Sequence, residues 1–389
     1  MANTIITPDL IGKEAAYQAV NNMVLGSKVD RRYEKDYKNK DTGGTVNYRM
    51  PNRFLAKSGA TLDTDDVKEL SKPITISERW HTSMEYPSQD LTLSMRDFSE
   101  RYITPAMIPL ANKIDEFVAN LAKGFHMAVG TPGTTPSTFE HFAAPSKMLS
   151  HMGVPKDGNR HLVLDPDASL KAQVLLAGLQ NSKAQEPALR KGLIGHLAGF
   201  DVDESQNIVN HTAGALTGTP LVNGASQDGS TLAVDGFTGT VSVGTVFTMA
   251  GVYMVNPISK QSTGVLQQFT VTAARDGAGD MSISPEIIGP ASTDAARQNV
   301  DALPADNAAI TFLDSGKLNM AFHKNAIGLV TVPLAMPDSA GFKSRYEYKG
   351  VSIRMVKGYN ISTDVETMRF DVLFGGSLLY PEYGTRLYG

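Results

Sequence analysis

The sequence predicts an α+β fold with a small all-β domain inserted into it, and three observations carry that prediction. One stretch near residues 105–128 repeats its apolar residues at spacings of three and four, the period of a helix. Stretches alternating apolar and polar residues flank it on both sides, as strands do. Between about 214 and 311, Gly, Thr, Ser and Val dominate, in short runs broken by glycine turns; this is the pattern of a small barrel or sandwich. The chain has 389 residues, enough for two or three domains.

The first element is a helix opening at Thr7-Pro8-Asp9. Thr7 suits the cap, Pro8 the first helical position, and Asp9 the positive end of the helix dipole. Leu10, Ala15, Val20 and Leu25 form its loose apolar stripe, with little nearby in sequence to bury against. The charge-dense run Asp30 to Asp41 that follows reads as a solvated linker. Helix and linker together predict an N-terminal arm over residues 1–44.

Residues 45–80 read as a long two-stranded hairpin. Val46, Tyr48 and Met50 alternate on its first strand, and Ile74, Ile76 and Trp80 on its second. Such a ribbon is marginal alone in water, so it must lean on its own body or on a neighbouring molecule. The stretch between the strands contains Arg53, Lys57, Asp63, Asp65 and Asp66. The three aspartates lack the glycine and closing glutamate of an EF-hand calcium loop and read as a solvated tip.

Thr104-Pro105 opens the best-marked helix, with Leu110, Ile114, Phe117, Val118, Leu121 and Phe125 on one face and Lys113, Glu116, Asn120 and Lys123 opposite. Gly130-Thr131-Pro132-Gly133 closes the segment. Residues 160–213 read as α/β: a strand at His161–Leu164, a helix capped by Asp165-Pro166-Asp167, and strand pieces at Phe200–Val202 and Ile208–Val209. After the β-rich stretch, longer strands return at Ile327–Met336, Tyr346–Tyr348, Val351–Arg354 and Arg369–Phe374. The resulting division is 1–44, 45–80, 81–159, 160–213, 214–311 and 312–389, with α/β-type material on both sides of the insertion.

The chemistry-bearing residues form no recognisable reaction centre. There is no cysteine, which excludes disulfides, thiolate metal sites and cysteine nucleophiles. No phosphate-binding loop, dinucleotide fingerprint, H-E-x-x-H or nucleophile elbow is present. The eight histidines are scattered without ligand spacing. Asp165 and Asp167 resemble a carboxylate pair, but helix capping accounts for them. The expectation is a structural protein without cofactor, with an enzyme carrying a β-rich accessory domain as the alternative. Thirty-six Lys and Arg against forty Asp and Glu give a net charge of −4, so any nucleic-acid contact should be weak and not sequence-specific. No secretory signal is read at the N-terminus, and no apolar run approaches the roughly 18 residues of a membrane span.

Three stretches carry a resemblance to a known family. The first is Gly244-Thr245-Val246-Phe247-Thr248-Met249-Ala250-Gly251-Val252 with Asn256-Pro257 and Lys260-Gln261-Ser262-Thr263-Gly264. The second is Phe269–Thr272; the third is Arg369–Gly375 with Pro381-Glu382 behind it. Together with the order of elements, these resemble the major capsid proteins of tailed bacteriophages, the Hong Kong 97 type. More closely, they resemble short-tailed-phage coat proteins with an inserted β domain. The resemblance implies an N-terminal arm, an extended β-hairpin loop, a long spine helix, peripheral and axial domains, and an inserted antiparallel β-barrel. It implies a virion protein assembled in the host bacterial cytoplasm into an icosahedral shell around double-stranded DNA. The implied partners are copies of itself in hexamers and pentamers, a scaffolding protein, a portal protein and non-specifically bound DNA, with no membrane. Asp9, Lys13 and Glu14 become candidates for scaffold contact. Arg53, Lys57, Asp63, Asp65 and Asp66 become candidates for contact between subunits; some members crosslink a lysine of this loop, but Lys57 is expected to be a plain surface charge. A tail or decoration component is the nearest structural alternative.

Overall fold

The computed structural model describes residues 8–33, 44–54, 59, 69–87, 99–178, 194–292, 294–338, 340–360 and 365–389. The chain divides into two compact units. The first draws on Met1–Tyr48, Lys72–Val118 and Ile327–Leu379, and the second on Arg49–Ser71, Ala119–Ala326 and Tyr380–Gly389.

The first unit is built on a six-stranded sheet. Its order is β1 (Thr45–Arg49), β2 (Ser71–Pro87), β19 (Val365–Leu378), β18 (Val351–Asn360) and β17 (Phe342–Tyr348), with β16 (Ile327–Thr331) also pairing to β19. β2, β16 and β18 pair with β19, and β17 with β18, all antiparallel. Strand alternation gives the sheet two unlike faces. Met368, Phe370, Val372 and Phe374 of β19 all point to one face and are fully buried. Helix α1 (Pro8–Asn21) packs on the same face of β17 and β18, where the Tyr17 ring meets Tyr348 edge-on at 4.2 Å. Helix α3 (Thr104–Leu121) sets Phe117 edge-on against Phe374 at 5.4 Å and Lys113 Nζ over the Trp80 ring at 4.9 Å.

The N-terminal region differs from expectation in the stripe that its helix buries and in residues 30–33. The first helix has a surface to bury against, supplied by strands more than 300 residues away. Its buried stripe is Ile11, Ala15, Ala16, Ala19 and Val20, while Leu10 stays 41% exposed. Residues 30–33 are not a solvated linker. Asp30 is buried, exchanges backbone hydrogen bonds with Ile327 and Leu329 and pairs with Arg32 at 2.6 Å. The short helix α2 (Leu25–Lys28) is held by α3, because the Asp115 carboxylate accepts from Val24 N (2.8 Å) and Gly26 N (2.7 Å).

The expected hairpin is present as β1 and β2, but β2 runs on to Pro87 as a full partner of β19. A bulge interrupts this ladder near its start, where Glu78 opposes Phe374 while Ile76 opposes Gly375. The strands approach so closely there that a Cβ at Gly375 would lie 2.1 Å from Thr75 O, so only glycine fits.

The second unit contains two seven-stranded sheets. One runs β3 (Met127–Val129), β20 (Gly384–Tyr388), β15 (Gly316–His323), β4 (Arg160–Leu164), β6 (Phe200–Glu204), β5 (Gly195–Leu197), with β7 (Asn210–His211) on β15. Helices α4 (Phe139–His151) and α5 (Pro166–Gly178) share with this sheet a core that includes Phe142, Leu149, Leu162, Leu164, Ala168, Phe200 and Leu387. The strand expected at Ile208–Val209 lies at residues 210–211. The segment expected to be helical to about 128 leaves the helix at Leu121. A single 3-10 turn follows, and residues 127–129 are extended to pair in parallel with β20.

The other sheet holds the β-rich stretch. It runs β12 (Arg275–Asp276), β9 (Gly229–Val241), β13 (Gly279–Ile287), β11 (Ser262–Val271), β10 (Val246–Val255), β14 (Ile310–Phe312), with β8 (Leu216–Val222) on β9. Backbone bonds Val222 N→Ala308 O (3.0 Å) and Asn307 N→Val222 O (2.9 Å) return from the β14 end to β8. The hydrogen-bonded circuit therefore comes back on itself around Phe247, Phe269, Val234, Met281 and their neighbours.

Candidate functional site

Among the described residues, no group of three or more His, Asp or Glu is placed to hold a metal, and no helix is long and apolar enough to cross a membrane. An open cavity of about 510 Å³ beside α4 is lined by Phe139, Lys147, His151 and Lys156 among others, with no carboxylate in the lining. Asp165 and Asp167, read from sequence as a cap, have a second task. Asp165 Oδ1 accepts from Ala168 N at 3.3 Å, and both carboxylates clamp Lys317 of β15, at 2.6 and 2.5 Å. Lys317 holds Asp167 below the usual carboxylate range.

The candidate scaffold contacts all lie on α1 but differ in what they touch. Asp9 Oδ1 accepts from Ser344 Oγ at 3.2 Å. Glu14 Oε1 accepts from Gln18 Nε2 at 2.9 Å and from Ser99 Oγ at 3.0 Å. Lys13 is exposed, its Nζ 5.7 Å from the Tyr17 ring centre. Of the candidate subunit contacts, Arg53 pairs with Glu382 of its own chain at 2.8 Å. Lys57, Asp63, Asp65 and Asp66 lie outside the described residues.

Sequence reasoning missed the strongest charged cluster, which sits on the second face of the six-stranded sheet. Because β17, β18, β19 and β2 pair in register, Arg345, Arg354, Asp371 and His81 form one cross-strand row. Asp371 is fully buried. Its Oδ2 accepts from Arg354 Nε (3.2 Å) and Nη2 (2.7 Å), and its Oδ1 from Arg369 Nε (2.8 Å). Arg79 Nη2 stands 3.8 Å from Oδ1, an ion pair beyond hydrogen-bond range. The alternation in Arg369–Phe374 carried half the signal, but only the register assembles the row.

A second buried guanidinium has no carboxylate partner among the described residues. Arg386 of β20 is fully buried and donates to Gly244 O (2.5 Å), to Lys123 O and to Thr270 Oγ1 (3.1 Å). Burial pushes its pKa down. These bonds tie the last strand to the turn before β10, to β11 and to the 3-10 turn that follows α3. His211 lies nearby, its Nε2 3.3 Å from Thr245 Oγ1. Burial first, then the charges of Arg386 and Lys123, push its pKa down to about 4.

Comparison with known proteins places this architecture. The family model of the P22 coat protein (gene protein 5) matches residues 13–389. The chain belongs to the P22 coat protein family. It is accordingly a shell-forming phage coat protein, a component of the virion that associates with copies of itself. It is 23% identical over 416 aligned positions to the major capsid protein of Acyrthosiphon pisum secondary endosymbiont phage 1, covering 95% of each chain. A solved structure from Mycobacterium phage Che8 is similar at 13% identity and a TM-score of 0.49, covering 94% of this chain and 90% of that one. The CUS-3 coat protein I-domain is 32% identical, with a TM-score of 0.20, covering 25% of this chain and 95% of that one.

Proposed function

We propose that the chain builds a closed icosahedral shell around the double-stranded DNA of a tailed phage, assembled in the host bacterial cytoplasm on a scaffolding protein and around a portal. The family match over 13–389 carries the reading, because it spans nearly the whole chain. Shell closure follows from head-to-tail contacts whose rotation closes into rings. Many modest contacts then sum through multivalency. In this reading the residues before 44 and the hairpin at 45–80 reach neighbouring subunits. The loop carrying Arg53, Lys57, Asp63, Asp65 and Asp66 touches them, and residues 214–311 act as an inserted domain. Asp9, Lys13 and Glu14 of α1 meet the scaffold. Lys13 has its charge most available, since Asp9 and Glu14 are engaged by Ser344 and Ser99.

The test is electron microscopy of the sedimenting fraction from cells expressing the chain with and without its scaffold. Closed shells with scaffold, and spirals or irregular shells without it, are expected. Small rings or monomers under both conditions would overturn the reading. Unchanged scaffold incorporation after charge reversal at Lys13 and Asp9 would remove α1 from the scaffold contact while leaving the shell intact.

A further inference from the structure

The outward face of the six-stranded sheet carries more positive charge than its buried carboxylate can absorb. Asp371 offers two oxygens, and Arg354 and Arg369 take both. Arg345 donates instead to Leu334 O at 3.1 Å. Arg79, with 52% of its side chain exposed, stands 3.8 Å from Asp371 Oδ1, beyond hydrogen-bond range. Lys343 shares this face, and the only other acids on the described strands there are Glu85 and Glu347. Five Lys and Arg thus stand against three carboxylates, in a chain whose net charge is −4. The complementary excess of acid lies elsewhere on the same molecule.

We propose that this arginine-bearing face, centred on Arg79, Arg369 and Asp371, docks an acidic surface of a second copy of the chain. The proposal rests on the reading of the chain as a shell former. Charge complementarity selects the occupant, since arginine forks match carboxylates in pairs and the chain carries the needed acid itself. The same charges dictate the geometry of the contact. A two-fold contact of the face with its own copy would set arginines against arginines, so the contact is heterologous, joining one surface to a different one. That is the kind of contact that propagates around a ring. Asp371 acts as a positioning residue, fixing Arg354 and Arg369 so that little side-chain freedom is lost on docking.

The experiment compares the parent chain with Arg79→Glu and the milder Arg79→Gln. It measures the pelleted particle fraction from lysates, the DNA content of the particles, and the circular dichroism of the soluble protein. Arg79→Glu is expected to lower particle yield at least tenfold and Arg79→Gln several-fold, with unchanged secondary structure. Parent assembly should weaken as salt rises from about 0.1 to 1 M, where the screening length falls from roughly 10 to 3 Å. The Arg79→Gln variant should respond less to salt. Particles at parent yield from both variants overturn the proposal. So do particles at parent yield that hold less DNA, which would make nucleic-acid phosphate the occupant. If Arg79→Glu misfolds, the yield from Arg79→Gln decides alone. A parent chain that forms no particles at all would fail the shell reading itself.

Discussion

The six-stranded sheet of the first unit and the β-rich circuit of the second satisfy their strands in opposite ways. The first is an open sheet, so it has edges and two faces. One face is apolar and covered by α1 and α3, and the other carries a buried carboxylate ringed by arginines. The second returns on itself through Val222, Asn307 and Ala308, and its interior is built from apolar side chains. Closing a ladder removes the edges that would otherwise seek a partner. The circuit can therefore complete its strand bonding within one molecule. The open sheet is left with edges and a charged face, the face proposed above to meet a second copy.

The sharpest way to break this comparison is to empty each core in turn. Phe269 is fully buried and stacked on Phe247 at 5.7 Å. Phe370 is fully buried between β18 and β2. Truncation of either to alanine should destabilise by about 3–5 kcal/mol. Hydrogen exchange should then show protection lost from β10, β11 and β13 in Phe269→Ala, and from β2, β18 and β19 in Phe370→Ala. Loss of both sets in either variant would show that the two regions open as one cooperative unit.

The two buried charges give a smaller contrast. Asp371→Ala leaves Arg354 and Arg369 facing each other without their carboxylate and should cost about 3 kcal/mol. Arg386→Met removes a buried cation that no carboxylate balances, while orphaning the carbonyls of Gly244 and Lys123. These effects oppose each other, and the net loss should be about 1 kcal/mol. Urea midpoints at equal slope measure both. A larger loss for Arg386→Met would mean that its three bonds, and not the relief of burying a charge, dominate that site.

Sequence legibility followed the same division. The β-rich stretch was readable because short alternating runs and glycine turns are local signals. The open sheet was readable strand by strand but not as a surface. Nothing in one sequence says that Arg345, Arg354, Asp371 and His81 share a row, because register is set by pairing between distant segments. The second hairpin strand was read only to Trp80, whereas it pairs with β19 as far as Pro87, a length set by a partner far along the chain. Phe125 kept helical spacing with Leu121 although the helix had ended. It lies instead against Gly384, where an added Cβ would fall 2.1 Å from its ring. The strand Gly384–Tyr388 itself went unread, as five residues at a chain end carry too little pattern. The buried face of α1 was hidden because its partners are strands more than 300 residues later.

The smallest expected effect is a difference in how the two regions meet acid. His211, in the second unit, is held neutral, with its pKa pushed down to about 4 from an unfolded value near 6.5. The unfolded chain therefore takes up a proton on His211 before the folded chain does. The stability it contributes is present above about pH 6.5 and is lost as pH falls towards 4, by an amount on the order of 2 kcal/mol. Asp115, in the first unit, is shifted the other way, because burial pushes its pKa up. Its folded form binds a proton more readily than the unfolded chain, so its contribution grows as pH falls through the raised value. Hydrogen exchange at pH 7 and pH 5 should therefore show protection falling first around His211, Thr245 and β10, while the Asp115 contact with Val24 and Gly26 holds. His211→Gln should flatten the pH response of the second unit alone. An unchanged response in that variant would assign the acid sensitivity to another group, and with it end the claim that the two regions differ at this histidine.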